Sequence, residues 1–157
     1  MIFKLKNVGI NQYEISNFSK IGCQSIHNSN YWKGENYLGI GPSAHSFNQV
    51  SRAWNVRNNS EYIRKVNSSE VYFETEMLTP EDRFNELLLT GLRTNFGVSI
   101  EKLTQCLEIP STFWEEVQLF EDQQLLFIEN DTLFLTKNVN LLAYNFESDL
   151  FQIITLF

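Results

Sequence analysis

The sequence predicts two units in series, an α/β segment over residues 1–75 and an α+β domain over residues 76–157. Three observations carry this reading. Residues 1–17 run as helix, glycine and strand, which is half of a repeating α/β unit. Residues 79–135 run as three helices followed by a hairpin. The charge also changes sign between about 65 and 78: residues 1–65 hold eight Lys/Arg against three Glu, and residues 66–157 hold four against sixteen acids.

Each element has a local reason. Ile2, Phe3, Leu5 and Val8, with Lys4 and Lys6 between them, read as the end of a helix stopped by Gly9. Residues 11–17 alternate, with Tyr13 and Ile15 on one face, and read as a strand. Residues 19–36 lack an apolar period and read as a loop. Residues 37–47 read as a strand turning at Gly41-Pro42, and Arg52 to Val56 as a further short strand. Ser60 is the expected N-cap of a helix through Val66, and residues 67–78 the connection between the units. Thr79-Pro80-Glu81-Asp82 then combines a capping hydroxyl, Pro at the first helical position and acids in the first turn. The helix it starts places Phe84, Leu87, Leu88, Leu92 and Phe96 at helical spacing and stops at Gly97. Ser99 caps a second helix with Leu103, Cys106 and Leu107 inside. Thr112 with Glu115 is expected to form a capping box for a third helix. Leu125–Ile128 and Leu133–Leu135 flank a Glu-Asn-Asp turn, and a last helix is expected over about 138–151 with Leu141, Leu142, Tyr144 and Phe146. Three helices and then a hairpin is the winged-helix order.

Composition narrows the classes of function. Hydrophobic residues make up 43% of the 157 and thirteen are Phe, enough for a packed core. No apolar run approaches the roughly 20 residues of a membrane span, and the N-terminus lacks a secretory pattern. Cys23 and Cys106 stand 83 positions apart, which gives no disulfide framework and fits a cytoplasmic protein. The acidic second unit opposes nucleic acid, whose phosphates dominate affinity. Its expected third helix, residues 113–123, carries Glu115, Glu116, Glu121 and Asp122 with no Lys or Arg. A basic first unit, by contrast, suits carboxylate or phosphate groups.

One stretch concentrates chemistry. His27-Asn28-Ser29-Asn30-Tyr31-Trp32 holds an imidazole, two carboxamides, a hydroxyl, a phenol and an indole within six residues. Such a mixture suits a flat, partly charged aromatic ligand, with His27 as a metal ligand and Tyr31 and Trp32 as apolar faces with polar handles. A hydrogen-bonded structural histidine beside core aromatics fits the same composition. Gly39-x-Gly41-Pro42 is not a dinucleotide fingerprint, since the third glycine and the following helix are missing.

The run Gln12–Phe18, the spaced set His27-Asn28-x-x-Tyr31-Trp32, the run Tyr37–Ser46 and Trp54-Asn55-Val56-Arg57, in this order, resemble the second half of HemW-like proteins. These are radical S-adenosylmethionine (radical SAM) proteins related to the oxygen-independent coproporphyrinogen III oxidase HemN. The resemblance covers most of the chain. It implies that residues 1–75 are the terminal segment of a radical-SAM, partial TIM-like barrel with a haem-motif loop. Residues 76–157 would be a winged-helix-like domain of the HemN C-terminal type. A chain opening in mid-unit is then expected to be a piece of a longer protein.

The resemblance also implies roles. His27 would be an axial ligand to haem iron, with Asn28 orienting the motif and Tyr31 and Trp32 stacking on the ligand or bonding a propionate. Cys23, four residues before His27, is a second candidate ligand or a small apolar residue. Gly39, Gly41 and His45 would lie near S-adenosylmethionine or substrate, or else form a tight turn beside a structural histidine. Arg52 and Arg57 would pair with tetrapyrrole carboxylates, or stand solvated. A [4Fe–4S] cluster and S-adenosylmethionine would belong to the full-length protein alone, because the cluster needs three closely spaced cysteines and this chain has two. The chain by itself is therefore not expected to be an enzyme. The function implied is that of a haem chaperone delivering haem to haem-requiring proteins. The alternatives are a coproporphyrinogen oxidase of porphyrin biosynthesis and a winged-helix nucleic-acid or protein-interaction module.

Overall fold

A computed structural model describes residues 2–136 of the protein; the last helix expected, over about 138–151, lies outside them. Helix α1 (Ile2–Lys6) ends before Gly9, which takes φ +76°. Strands β1 (Ile10–Gln12) and β2 (Phe18–Lys20) then pair antiparallel, with Ile10 opposite Lys20. The single strand expected over 11–17 is thus a hairpin. Its turn is held locally: Tyr13 N–H donates to the Asn17 carbonyl at 3.1 Å, and the Glu14 carboxylate accepts from Ser16 N–H at 2.8 Å. Short polar side chains that satisfy nearby backbone compete with strand pairing in this way. Tyr13 and Ile15 are nevertheless both buried.

The stretch 19–36, expected as a loop, contains helix α2 (Ile26–Trp32). Strands β3 (His45–Phe47), β4 (Ser51–Asn55) and β5 (Phe73–Met77) form an antiparallel sheet in that order. β5 occupies the region expected to be a plain connection, and helix α3 (Asn59–Asn67) links β4 to it. The α3 cap is Asn58, whose side chain accepts from Glu61 N–H at 3.0 Å, rather than Ser60. Only Tyr37 of the strand expected over 37–42 pairs, through an isolated bridge to Phe47. All strand pairs among the described residues are antiparallel. The parallel α/β repeat is therefore not what residues 1–75 form on their own; the short connections at 13–17 and 48–50 permit only antiparallel neighbours.

The second unit follows its local signals closely. Helix α4 (Pro80–Gly91) has a complete capping box: Thr79 Oγ1 accepts from Asp82 N–H at 3.1 Å and Asp82 Oδ2 from Thr79 N–H at 2.9 Å. That bonding holds the Asp82 carboxyl below its ordinary range, through the Thr79 backbone first and its hydroxyl second. α4 ends at Gly91, short of Phe96. A Cβ on Gly91 would lie 2.5 Å from the Val98 side chain, so the helix stops where the returning chain crosses it. Strand β6 (Val98–Ser99), helix α5 (Ile100–Cys106), helix α6 (Ser111–Asp122) and strands β7 (Leu126–Glu129) and β8 (Thr132–Leu135) complete the unit. Its sheet has the order β6-β8-β7. The box expected from Thr112 and Glu115 is absent, because α6 starts two residues earlier, at Ser111 behind Pro110, without a side-chain cap. Asn130 and Asp131, at φ +50° and +55°, make the hairpin turn between β7 and β8.

One core joins both units. Leu88, Leu103, Phe113, Val117, Leu133 and their neighbours pack together, with Phe84 and Phe113 edge to face at 5.4 Å. Ile15 from the first hairpin enters the same cluster. The hairpin is also bonded to the end of α4: Ile15 N–H donates to the Arg93 carbonyl at 3.1 Å and Asn95 N–H to that of Tyr13 at 3.0 Å. Leu103, wholly buried, sits at the centre, so Leu103→Ala is expected to lower stability by about 2–5 kcal/mol in denaturant unfolding.

Candidate functional site

The polar-aromatic stretch 27–32 is helical because Ser25 caps it, its hydroxyl accepting from Asn28 N–H at 3.3 Å. Helical geometry sorts the stretch into two faces, since residues four apart stand above one another. His27 and Tyr31 form one pair, and both line a cavity of about 650 Å3 between α2 and the sheet. Asn28 and Trp32 form the other, and both turn toward the body of the protein. Asn28 Nδ2 donates to Tyr13 Oη at 3.4 Å, and the Arg93 guanidinium lies 5.2 Å from the Trp32 ring centre. Of the four motif residues, two therefore face the cavity and two anchor the helix. Trp32 does not line this cavity.

The opposite wall is built by glycine and asparagine. A Cβ on Gly39 would lie 2.2 Å from the His45 carbonyl oxygen, so only glycine lets residues 37–39 run against β3. Gly39 N–H donates to Ser46 Oγ at 2.9 Å. Buried Asn55 donates to the Gly41 carbonyl at 2.8 Å and the Gly39 carbonyl at 3.3 Å, replacing the ladder bonds this irregular stretch lacks. The wall so formed is aromatic: Tyr31 and Tyr37 centre 5.6 Å apart, and Tyr37 and Phe47 stack at 5.9 Å. Burial, and next the neighbouring Tyr31, pushes the Tyr37 phenol up, so it remains a hydrogen-bond donor.

Charge enters from both units. Arg52 on β4 lies 3.5 Å from Glu76 on β5 and 3.7 Å from Glu86 on α4. At those separations the pairs are ionic contacts without hydrogen bonds, and Arg52 Nε and Glu86 Oε2 are buried with no hydrogen-bond partner. For Glu86 the burial cost exceeds the pull of Arg52: its carboxyl is pushed up, by desolvation first and then by Asp82 and Glu76. The cavity thus offers two half-satisfied groups of opposite sign beside two exposed histidines, His27 and His45.

Of the residues expected at the site, His27, Tyr31, Gly39, His45 and Arg52 line this cavity, whereas Asn28, Trp32, Gly41 and Arg57 do not. Gly41, at φ +104°, donates its N–H to Tyr62 Oη at 3.2 Å in the turn behind the wall. Arg57 is exposed beyond the end of β4, where the strand no longer directs its side chain inward. Cys23 is exposed outside the cavity. Tyr37, Phe47, Asn55 and Glu86 complete or support the site and were not singled out from the sequence. Asn55 carried a signal, a carboxamide directly after the apolar pair Ala53-Trp54.

The cavity sets two histidines beside an aromatic wall, and no group of three His, Cys, Asp or Glu able to hold a metal ion occurs among the described residues. Its volume lies in the roughly 300–1,000 Å3 of ligand clefts. A three-cysteine cluster does not fit this chain, whose two cysteines are separate and whose Cys106 thiol is pushed up by burial. No described helix is long and apolar enough to cross a membrane.

With this geometry in hand, known proteins provide context. Residues 78–138 match the family described as HemN C-terminal domain. The chain is 38% identical to “Heme chaperone HemW” of Bacillus subtilis over 103 residues, covering 65% of this chain and 27% of that protein. It is 30% identical to the protein of the same name from Lactococcus lactis, covering 82% and 34%. It is also 32% identical to the mitochondrial radical S-adenosyl methionine domain-containing protein 1 of Dictyostelium discoideum, covering 83% and 35%. The chain thus spans about a third of the length of these relatives. The solved coproporphyrinogen III oxidase HemN of Escherichia coli, a radical SAM enzyme, shares the fold at a TM-score of 0.69 and 18% identity, over 98% of this chain and 38% of that one.

Two outcomes are expected from the wall and the ion pairs. Asn55→Ala strands two carbonyls and is expected to cost about 1–3 kcal/mol in denaturant unfolding. Glu86 binds its proton more tightly folded than unfolded, so protonation favours the folded state. At pH 7 Glu86→Gln is therefore expected to raise stability slightly, by less than about 1 kcal/mol. The gain should shrink as pH falls through the raised folded value and vanish below 4.5, the group's ordinary value. Thermal unfolding across that range measures it.

Proposed function

Since this chain belongs to the HemN-related family, as the C-terminal part of a HemW-like radical SAM protein, we propose that it supplies the haem-holding surface of a haem chaperone. The observation that carries this reading is the α2 face: His27 and Tyr31 on one cavity with an aromatic wall and Arg52. Haem is the cargo. It would contribute an iron atom open to one protein nitrogen, and a neutral imidazole is a common haem ligand. His27 would ligate, Tyr31, Tyr37 and Phe47 would cover the ring, and Arg52 would face a propionate. Trp32 and Asn28 would fix α2, and with it the imidazole.

The split of these three ligand contacts follows from chemistry. Stacking surfaces contribute affinity without selecting a metal, ligation selects the iron, and the cation selects the acidic edge. Gly39 and His45 would lie near S-adenosylmethionine or substrate in a full-length protein holding the [4Fe–4S] cluster. Residues 76–157, with helix, short strand, two helices and hairpin in succession, would serve as a winged-helix-like cover over that site. Delivery to a haem-requiring recipient, in the cytoplasm, completes the proposal. The fold shared with a coproporphyrinogen oxidase supports a second reading, in which the same cavity faces a porphyrinogen substrate in the full-length enzyme. The acidic α6 gives a nucleic-acid role no support.

Haem titration of the chain, followed by its Soret band, tests the proposal beside His27→Ala and His45→Ala. A shift saturating at about one equivalent, lost with His27→Ala and retained with His45→Ala, is the expected result. Loss with His45→Ala alone would move the ligand to β3. Unchanged binding by both variants would refute imidazole ligation, and decarboxylation of coproporphyrinogen by the full-length protein would favour the second reading.

A further inference from the structure

We infer that Lys33, Arg83 and Lys102 form an anion subsite that takes the carboxylate edge of the planar ligand, an inference that rests on the reading above. The three come from different elements: the cap of α2, the first turns of α4 and the start of α5. They converge on a second cavity, of about 210 Å3, whose wall also includes Thr90 and Gln105.

Composition makes this convergence informative. Residues 66–157 contain only four Lys/Arg against sixteen acids, yet two of those four cations line this one cavity. None of the three appears among the ion pairs of the described residues, which use Arg52, Arg64 and Lys65. Lys33 instead lies over the Phe96 ring at 4.9 Å. Two acids share the wall: Glu35, exposed, and Glu86, which already faces Arg52 at 3.7 Å. Three cations against two carboxylates leave the wall with an excess of positive charge, which a bound anion would balance.

The small cavity shares Glu35, Phe47 and Glu86 with the large one. A ring lying along Tyr37 and Phe47 therefore brings its edge to the border between them. Arg83 offers a planar fork for a carboxylate, and Lys33 and Lys102 two point charges. The ligand class is a planar macrocycle with carboxylates on one edge. The subsite takes the role expected of Arg57, which the fold carries elsewhere.

The test compares protoporphyrin IX with its dimethyl ester by porphyrin fluorescence, so that iron ligation plays no part. The chain is expected to bind the diacid at least tenfold more tightly than the ester. A Lys33→Gln, Arg83→Gln, Lys102→Gln triple variant is expected to lose most of that preference, keeping only the part that Arg52 supplies, with its affinity for the ester unchanged. His27→Ala should leave the diacid-to-ester ratio unchanged, which separates this subsite from the ligand assignment: haem ligation retained in His27→Ala, with the ratio intact, would sink only the latter. Equal binding of diacid and ester by the wild-type chain, a ratio preserved in the triple variant, or binding of neither porphyrin overturns the subsite.

Discussion

The candidate ligand His27 depends on the stitch between residues 13–15 and 93–95. Two backbone hydrogen bonds, of 3.1 and 3.0 Å, tie the first hairpin to the end of α4, and Ile15 enters the core of the second unit beside them. From that fixed edge Tyr13 reaches Asn28, and Arg93 reaches Trp32. A seven-residue helix has too few internal bonds to hold its own position in water. α2 is therefore aimed by these two side-chain contacts, and the opposite face of the same helix meets the cavity. The motif is divided between holding and presenting, and neither half works without the other.

The electrostatics of the cavity follow from incomplete pairing. Arg52 has two carboxylates nearby but no hydrogen bond to either, and Glu86 is held against its own charge by burial. Part-exposed ion pairs of this kind contribute little to stability, since solvent screens the attraction and partial desolvation offsets it. They do leave donors and acceptors free to engage a ligand without first breaking a strong internal bond. The adjoining cations extend the same logic from one arginine to a positively charged margin on an otherwise acidic unit.

What was legible in the sequence was local. Thr79-Pro80-Glu81-Asp82 starts α4 as expected, because cap chemistry spans three residues and needs no tertiary partner. The β7–β8 hairpin and Ser99 cap follow for the same reason. Tyr13, Glu14 and Ile15 alternate like a strand, yet a tight turn stitched to a neighbour buries the same two residues; only the partner at 93–95 separates the two cases. α2 escaped because two turns are too short to show a period, and its polar residues read as loop. Glu86 was invisible as a site residue: it is one acid on an acidic helix until the fold sets it beside Arg52. Arg57 stands off the cavity because β4 ends at Asn55, so a residue two positions later leaves the sheet. The family likeness singled out the stretch proposed to hold the ligand, and the helix geometry sorts its residues into two faces.

Iron anomalous scattering from crystals of the haem-bound chain tests the central claim most directly. The account predicts one iron peak between α2 and β3, within bonding distance of a His27 ring nitrogen, with the macrocycle along Tyr37 and Phe47. A peak at Cys23, on the outer face of β5, or beside α6 would contradict it.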